Sequence, residues 1–334
     1  MIFRKYLLRA VMVIIFIAAI AILYSNWRPG NDITDGRNNR KHNGIWLQHG
    51  WLGDDPWFIR NKKEKKISYF RNKDEIEKLA TLLRSHDITD VFPHLCPTSV
   101  NGYIPDVDEQ QTKRFMNEFK GFRVMPWVGG VLGVQAFPAK DEWRRNFTNS
   151  ISRLFKMHSD FAGIHINIEP CPDDYRHFLT LLDEVRRVLP EGKILSVVAF
   201  PPSTVLHPFT DVHWGKEYYR QVAKRSDQIV VMMYDTSIRF DKVYQYIIAK
   251  WTREVLEWSM DSNILLGLPV YDDAGVGYHD PKVENLLNAL PAIHAGLSSF
   301  NGLPINYQGI SLYCEWEMNV EKWSIYEDRF QHKK

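Results

Sequence analysis

The strongest constraint on the fold of this chain is a regular alternation of short apolar runs and amphipathic stretches between residues 44 and 330. Alternation of this kind indicates βα units around a parallel sheet. Strands are predicted at Gly44–His49, Thr89–Leu95, Arg123–Val128, Gly163–Glu169, Ile194–Phe200, Gln228–Asp235, Ile264–Tyr271 and Gly309–Glu315. Helices are predicted at Asp74–Ser85, Asp108–Phe119, Asp141–His158, Asp173–Leu189, Lys216–Arg225, Lys242–Trp258, Val283–Phe300 and Val320–Phe330. Eight strands alternating with eight helices predict an α/β fold, the closed (β/α)₈ TIM barrel.

A doubly wound open sheet is the alternative fold, but such sheets usually have fewer strands. No glycine-rich phosphate loop follows the first strand, which argues against a nucleotide site. The chain also lacks a G-x-S-x-G elbow and metal-ligand spacing, so neither a metal nor another cofactor is predicted.

Composition narrows the classes of partner. The 334 residues are 45% hydrophobic and 25% charged, as in an ordinary folded chain, and 13% are aromatic. The formal net charge of +2 gives no reason to expect a nucleic-acid partner. Cys96, Cys171 and Cys314 are too few for a disulfide framework, and both one disulfide and three buried thiols remain open. The sequence does not indicate an oligomeric state.

The N-terminus predicts contact with a membrane. Arg4, Lys5 and Arg9 precede an apolar run from Ala10 to Tyr24, the pattern of a signal or an uncleaved anchor. An anchor is favoured, which leaves the barrel on the extracytoplasmic side, whereas cleavage would secrete it. Residues 1–27 are therefore predicted as anchor, 28–43 as polar linker and 44–334 as barrel. We expect residues before 43 to be dispensable for folding, and the basic stretch Arg60–Lys73 to be a solvated loop.

Polar and aromatic residues gather where the predicted strands end. In such barrels the active site lies on the loops at the C-terminal ends of the strands. These strand ends carry His49, Trp51, His94, Trp127, Glu169, Tyr234, Asp235, Tyr271, Asp272, Glu315 and Trp316. Their accumulation at one rim predicts a groove of a size and character that suits a carbohydrate.

The fourth predicted strand is the most informative segment. Side chains alternate between the two faces of a strand, so His165, Asn167 and Glu169 share one face while the intervening isoleucines share the other. Three polar groups inside a barrel are poor packing, because an unpaired buried polar group costs roughly 1–3 kcal/mol. The pattern therefore favours a site over a structural core.

At these residues the chain resembles the chitinase-like family 18 glycoside hydrolases, whose fourth strand reads D-G-x-D-x-D-x-E. Here residues 162–169 read A-G-I-H-I-N-I-E, which keeps the glycine and the glutamate and replaces the aspartates. Residues 197–202 (VVAFPP), 232–235 (MMYD) and 266–271 (LGLPVY) resemble the fifth-, sixth- and seventh-strand motifs. The family's eighth-strand tryptophan corresponds to Tyr313 or Trp316.

The resemblance implies a mechanism and roles for the matched residues. Glu169 would act as general acid and then base, while the 2-acetamido group of the substrate attacks the anomeric carbon. Tyr234 would hold the acetamido group, Asp235 would bind the sugar, and Asn167 stands where the family has an aspartate. His165 would either polarise Asn167 or help to keep Glu169 protonated, or it is a structural histidine. The substrate-binding set predicted from both arguments is His165, Asp235, Trp51, Trp127, Tyr271, Asp272, Glu315 and Trp316.

Three functions remain open from the sequence. The first is hydrolysis of a 2-acetamido-sugar polysaccharide or glycan outside the cytoplasm. The second is a catalytically inactive sugar-binding barrel. The third is hydrolysis with a second carboxylate, from Asp235, Asp272 or Glu315, as nucleophile or base.

Overall fold

The computed structural model describes residues 2–208, 210–273 and 278–332. Within this part of the chain, nine parallel strands form one sheet in the order β3-β2-β1-β9-β8-β7-β6-β5-β4. The strands are β1 Asn43–Leu47, β2 Ile88–Pro93, β3 Arg123–Val124, β4 Trp127–Val131, β5 Gly163–Glu169, β6 Ile194–Ala199, β7 Gln228–Met232, β8 Asn263–Pro269 and β9 Tyr307–Tyr313. The eight predicted strands are present, and the third is divided into β3 and β4.

The division of the third strand is also where the sheet closes. Pro126 lies between β3 and β4 and has no N–H to donate to a ladder. On one side the N–H of Leu95 donates to Trp127 O at 2.8 Å, and on the other the N–H of Ala162 donates to Val124 O at 2.9 Å. The two edges of the sheet thus meet at this interrupted strand, and the sheet curls into a TIM-like barrel.

The helices follow the predicted order. They are α1 Ile2–Asn26, α2 Asp55–Arg60, α3 Ile67–Arg71, α4 Lys73–Ser85, α5 Glu109–Glu118, α6 Asp141–Met157, α7 Arg176–Val188, α8 Lys216–Ala223, α9 Asp241–Trp258, α10 Leu286–Leu297 and α11 Val320–Tyr326. The stretch Arg60–Lys73, predicted as a solvated loop, contains α3 instead. The many basic residues of this stretch led to the loop prediction, but the stretch also contains Phe70. This ring is buried at 2% exposure and packs edge-on against Trp51 at 4.9 Å between ring centroids.

The apolar core forms on both faces of the sheet. Ile164, Ile166 and Ile168 of β5 are buried in the larger cluster, between the sheet and the helices. A smaller cluster fills the barrel interior, where Trp46 and Phe92 pack at 5.5 Å between ring centroids. The outward isoleucines leave the inward face of β5 for its polar residues, as the alternation along the strand predicts.

Residues 28–43, which we call the N-terminal strap, lie against the barrel rather than forming a free linker. The Asn38 side chain is 6% exposed and its Nδ2 is 2.7 Å from His294 Nδ1 on α10. Asn38 O also accepts from Tyr307 OH at 3.1 Å. Asn39 Nδ2 donates to Asp87 Oδ2 at 3.0 Å. These polar residues, which suggest a linker in the sequence, pair with polar groups of the barrel.

Helix α1 is the part of the described chain whose length and apolar character would allow it to cross a membrane. Over Arg9–Asn26 its mean hydropathy is 2.0, and none of this stretch is buried by the rest of the protein. Its C-terminal end contacts the start of α9. Tyr24 OH donates to Asp241 Oδ1 at 2.6 Å, and Lys242 Nζ donates to Tyr24 O at 2.7 Å. The cation therefore lies where the helix dipole is negative.

The strap contacts predict different outcomes for two truncations. Removal of residues 1–27 leaves the strap in place, so the free energy of unfolding should stay close to that of the whole chain in detergent. Removal of residues 1–42 deletes the Asn38 and Asn39 hydrogen bonds and should cost on the order of 2–4 kcal/mol. Urea unfolding followed by tryptophan fluorescence measures both. Equal stability of the two truncated proteins would show that the strap contributes nothing to the fold.

Candidate functional site

A cavity of about 560 Å³ opens at the C-terminal end of the sheet. The loops that follow β1, β2, β4 and β9 form its walls, and β5 contributes its last residues. The lining residues are Gln48, His49, Trp57, Phe58, Lys63, Lys66, His94, Cys96, Pro97, Trp127, Gly130, Val131, Gln135, Asn167, Glu169, Tyr313 and Trp316. This is the end of the sheet at which TIM barrels place catalytic residues.

Glu169 is the carboxylate that lines this cavity. It ends β5, and its Oε1 accepts a hydrogen bond from Asn167 Nδ2 at 3.1 Å. Burial raises the pKa of Glu169 above that of an exposed glutamate. The Asn167 hydrogen bond opposes this shift, and the negative charge of Asp235 adds to it. A carboxyl group with a raised pKa remains protonated to higher pH, which is the property that a general acid needs.

Asn167 is held by an unusually close approach of two strands. Gly129 on β4 has a φ of +132°, and a Cβ at this position would lie 1.8 Å from Asn167 O. Only glycine therefore fits here. Asn167 donates to Glu169 through its amide N–H₂, so the acceptor that this side chain offers is Oδ1.

His165 is a structural histidine in the barrel interior. It is fully buried and is not part of the cavity lining. Trp46 Nε1 donates to His165 Nε2 at 3.0 Å, so the neutral ring carries its proton on Nδ1, which lies 2.7 Å from Ser196 Oγ. Burial lowers the pKa of His165 to about 3. Both ring nitrogens are thus used inside the protein, and the structure places His165 away from the cavity, as the structural alternative predicts.

Tyr234 lies behind the cavity wall. Its ring is 7% exposed and stacks on Tyr313 at 5.4 Å between ring centroids and 16° between planes. Tyr313 ends β9 and lines the cavity, and Trp316 packs edge-on against it at 5.8 Å. Of the two sequence candidates for the eighth-strand aromatic residue, Tyr313 is therefore the one at the strand end. Of the four side chains predicted to converge, Asn167 and Glu169 line the cavity, whereas His165 and Tyr234 lie outside the lining.

Asp235 sits in a turn that a buried carboxylate fixes. Its φ is +59°, and Glu284 accepts from Asp235 N at 2.6 Å and from Thr236 N at 3.0 Å. Asp235 itself accepts a hydrogen bond from Tyr271 OH. Asp235, His279 and Glu284 present ligand atoms within 4.8 Å of one another. A cation there would compete with the two backbone N–H groups for Glu284, so hydrogen bonding accounts for the cluster.

The other predicted binding residues are dispersed. Trp127 and Trp316 line the cavity. Trp51 is fully buried in the core beneath α3, which corrects its assignment to the groove. Asp272 is outside the lining and pairs with Lys322 Nζ at 2.7 Å. Burial raises the pKa of Glu315 to about 7, and Gln48 N donates to it at 3.5 Å, but Glu315 is also outside the lining.

A row of contacting rings forms one wall of the cavity, and of its members only Trp127 belongs to the predicted substrate-binding set. Trp57 stacks on His49 at 4.0 Å between ring centroids, while His49 contacts His94 at 3.8 Å and His94 contacts Trp127 at 3.9 Å with tilted ring planes. Asp54 pairs with His49 Nδ1. His49 and His94 were visible as strand-end residues, but Trp57 belongs to the short helix α2, for which the sequence gave no periodic signal. Planar faces of this kind are suited to packing against sugar rings.

The TIM-like barrel with a cavity at the C-terminal end of its sheet is the architecture that the sequence resemblance to family 18 implies, and a comparison with protein families identifies the same family. Residues 69–296 match the glycosyl hydrolases family 18, and the chain belongs to that family. No curated protein sequence matches the chain.

Solved structures show the same fold at low sequence identity. A putative chitinase A from Streptomyces coelicolor is 15% identical, with 88% of this chain and 99% of that chain covered and a TM-score of 0.57. A chitinase from Chromobacterium violaceum is 12% identical, with 87% and 99% covered and a TM-score of 0.54. The spore cortex-lytic enzyme SleL from Bacillus cereus is 12% identical, with 86% and 74% covered and a TM-score of 0.54.

The close approach at Gly129 predicts a sharp contrast between two glycine substitutions. Gly129→Ala should destabilise the fold by more than about 4 kcal/mol, because its Cβ would overlap Asn167 O and force the strands apart. Gly133→Ala is the matched control: its φ is +78°, but no atom lies within 4 Å of the added Cβ. It should cost about 1–2 kcal/mol for the left-handed backbone alone. Thermal unfolding of both variants checks this. Similar losses would mean that the approach of β4 to β5 is not tight.

Proposed function

We propose that the protein is a glycoside hydrolase that cleaves a 2-acetamido-sugar polysaccharide or glycan, with Glu169 as the general acid and base. The observation that carries the proposal is the Glu169 carboxyl group, which has a raised pKa and lies in a cavity with aromatic walls. Family membership supports glycoside hydrolysis in general. The chitinases among the similar structures make a 2-acetamido sugar the first substrate class to test.

The proposed reaction needs one proton and one internal nucleophile. Glu169 donates its proton to the glycosidic oxygen as the bond from that oxygen to the anomeric carbon breaks. The acetamido oxygen of the substrate attacks the anomeric carbon and forms an oxazolinium-like ion, and water activated by the Glu169 carboxylate then opens it. Asn167 Oδ1 accepts the acetamido N–H and orients the group. Because an amide carries no negative charge, we expect it to stabilise the cationic intermediate less than an aspartate would.

The sugar ring is held by the walls of the cavity. We assign ring stacking to Tyr313, Trp316 and the Trp57–His49–His94–Trp127 wall. Tyr234, to which the family resemblance assigns the acetamido contact, acts from behind Tyr313, and Tyr271 and Asp235 extend the same cluster. Burial and the neighbouring His49 hold the pKa of His94 well below its usual range, so its ring presents an uncharged face.

Two other functions are tested by the same experiments. A sugar-binding barrel without activity would bind a glycan and cleave nothing. The observation in support of a hydrolase with a second protein carboxylate is Glu315, because its pKa of about 7 suits acid–base chemistry. The anomeric configuration of the product does not by itself separate a protein nucleophile from the acetamido group, since both retain it. Loss of cleavage on replacing the 2-acetamido group with a hydroxyl points to substrate assistance.

We further propose that α1 anchors the protein in a membrane. Arg4, Lys5 and Arg9 would keep the N-terminal end of this helix in the cytoplasm, which sends the barrel to the other side. The length of the apolar stretch and its exposure support this assignment.

The role of Glu169 predicts the outcome of a charge-removing substitution. Glu169→Gln should retain glycan binding and lower kcat by about 10²–10⁴-fold, because glutamine cannot donate an acidic proton. Asp272→Asn is the matched control, since Asp272 is an exposed carboxylate paired with Lys322 outside the cavity, and it should keep full activity. Single-turnover cleavage of a chitin oligosaccharide and calorimetric binding measure the two effects. Full activity of Glu169→Gln would exclude Glu169 as the acid, and wild-type binding without cleavage would favour the sugar-binding function.

The hydrogen bond from Asn167 predicts a change in pH dependence. It favours ionised Glu169, so Asn167→Ala should raise the pKa of Glu169. The general acid must be protonated, and activity therefore falls as pH rises through that pKa. In the variant, the alkaline limb of the kcat/KM profile should move to higher pH. The maximum of kcat/KM should also fall, because losing the hydrogen bond that orients the substrate costs roughly 1–3 kcal/mol of transition-state stabilisation. An unchanged limb would indicate that Asn167 does not contact the ionising group.

A further inference from the structure

Exposed apolar side chains occupy one half of the barrel end at which the cavity opens. Val205, Leu206, Phe240 and Tyr278, which we call the apolar rim, have exposed fractions of 96%, 49%, 63% and 66%. They belong to the loops after β6, β7 and β8. Because all the strands are parallel, these loops lie at the same end as Glu169, whereas the cavity walls come from the loops after β1, β2, β4 and β9.

The three loops of the apolar rim contact one another. Thr204 and His207 exchange two backbone hydrogen bonds of 3.1 Å, which presents the two residues between them at the tip of a tight turn. The His207 ring is hydrogen-bonded to the Thr236 backbone in the next loop. Ser237 N in turn donates to Tyr278 O at 2.8 Å. The loops that carry the exposed side chains are therefore joined to one another at this end of the barrel.

The C-terminal end of α1 lies against the same surface. The Tyr24 ring meets Phe240 at 6.3 Å, and Trp27 meets Tyr246 at 5.6 Å, between ring centroids. Tyr and Trp near the end of a membrane-spanning helix mark the level of the membrane–water interface. A bilayer that α1 crosses would therefore have its surface at the level of Phe240, which is part of the apolar rim.

We propose that the apolar rim inserts into the interface of the bilayer that α1 spans, so that the barrel is held to the membrane at two places. The occupant of the surface is thus a phospholipid bilayer, and the inference rests on the proposed insertion of α1. Insertion removes Val205 and its neighbours from water, which is favourable for apolar side chains at the boundary between headgroups and acyl chains.

The orientation that results decides which glycans reach Glu169. The inserted half of the barrel end carries the loops after β6, β7 and β8, and the cavity opens on the other half of the same end. The opening therefore lies beside the lipid headgroups. This position favours a glycan that is attached to a lipid or lies directly on the membrane over a polymer that is distant from it.

Fluorescence quenching by lipids tests this arrangement directly. The full chain is reconstituted into phosphatidylcholine vesicles whose acyl chains carry a spin-label quencher. A fluorophore is attached to Val205→Cys or Tyr278→Cys, and Glu191→Cys, on the exposed turn between α7 and β6 at the opposite end of the barrel, is the control. Cys171 and Cys314 are buried, and Cys96, which lines the cavity, is only 8% exposed, so a thiol reagent reacts preferentially with the introduced cysteine. Co-flotation with the vesicles is measured in the same samples.

The proposal predicts that labels at 205 and 278 lie roughly 5–10 Å into the interface and are quenched several-fold more than the label at 191. Co-flotation with equal, weak quenching at all three positions would overturn the rim contact while α1 insertion stands. If the label at position 205 is shielded from water but not quenched by lipid, and the protein is a dimer, the rim contact with the bilayer is overturned in favour of contact with a second copy of the chain. Failure to co-float would overturn both the rim contact and the anchor, and would leave hydrolysis by Glu169 to its own test.

Discussion

The interior of the barrel depends on one chain of buried hydrogen bonds. His165 Nδ1 meets Ser196 Oγ at 2.7 Å, Ser196 donates to Gln228 Oε1 at 2.7 Å, and Gln228 donates to Asp90 Oδ2 at 2.6 Å. Arg123 completes the chain by pairing with Asp90. Each member has its partner, so the polar interior avoids the cost of unpaired groups. The chain links β5, β6, β7 and β2 and so fixes the inward face of the strand that presents Glu169.

This series of hydrogen bonds also explains what the sequence of β5 could and could not predict. The alternation along the strand correctly predicted that His165 and Asn167 face inward, and that three isoleucines face the helices, because period-two geometry is local. It could not separate the histidine that the core uses from the amide that the cavity uses. That distinction depends on Ser196 and Trp46, which come from distant parts of the chain. The predicted strands were recovered for the same local reason.

The errors share a physical origin. Trp51 follows the first predicted strand, and Phe70 covers it because loop conformation decides which way a ring after a strand points. Trp127 lies within the third predicted strand and lines the cavity. The basic stretch around Phe70 and the polar stretch around Asn38 were predicted to be solvated because the composition of a segment reflects the exposure of most of its residues and not of each one. Single buried residues within them make the contacts that determine their position.

The N-terminal strap has a consequence for the order in which the chain can fold. Asn38 is joined to His294 and to Tyr307, at sequence separations of 256 and 269 residues. Contacts between such distant residues close large loops and form slowly. During synthesis the strap emerges early, but its partners emerge only when most of the chain has been made. Until then the first strands lack β9 as a neighbour, so the nascent protein exposes unpaired strand edges, and its demand for chaperones should be greatest just before synthesis ends.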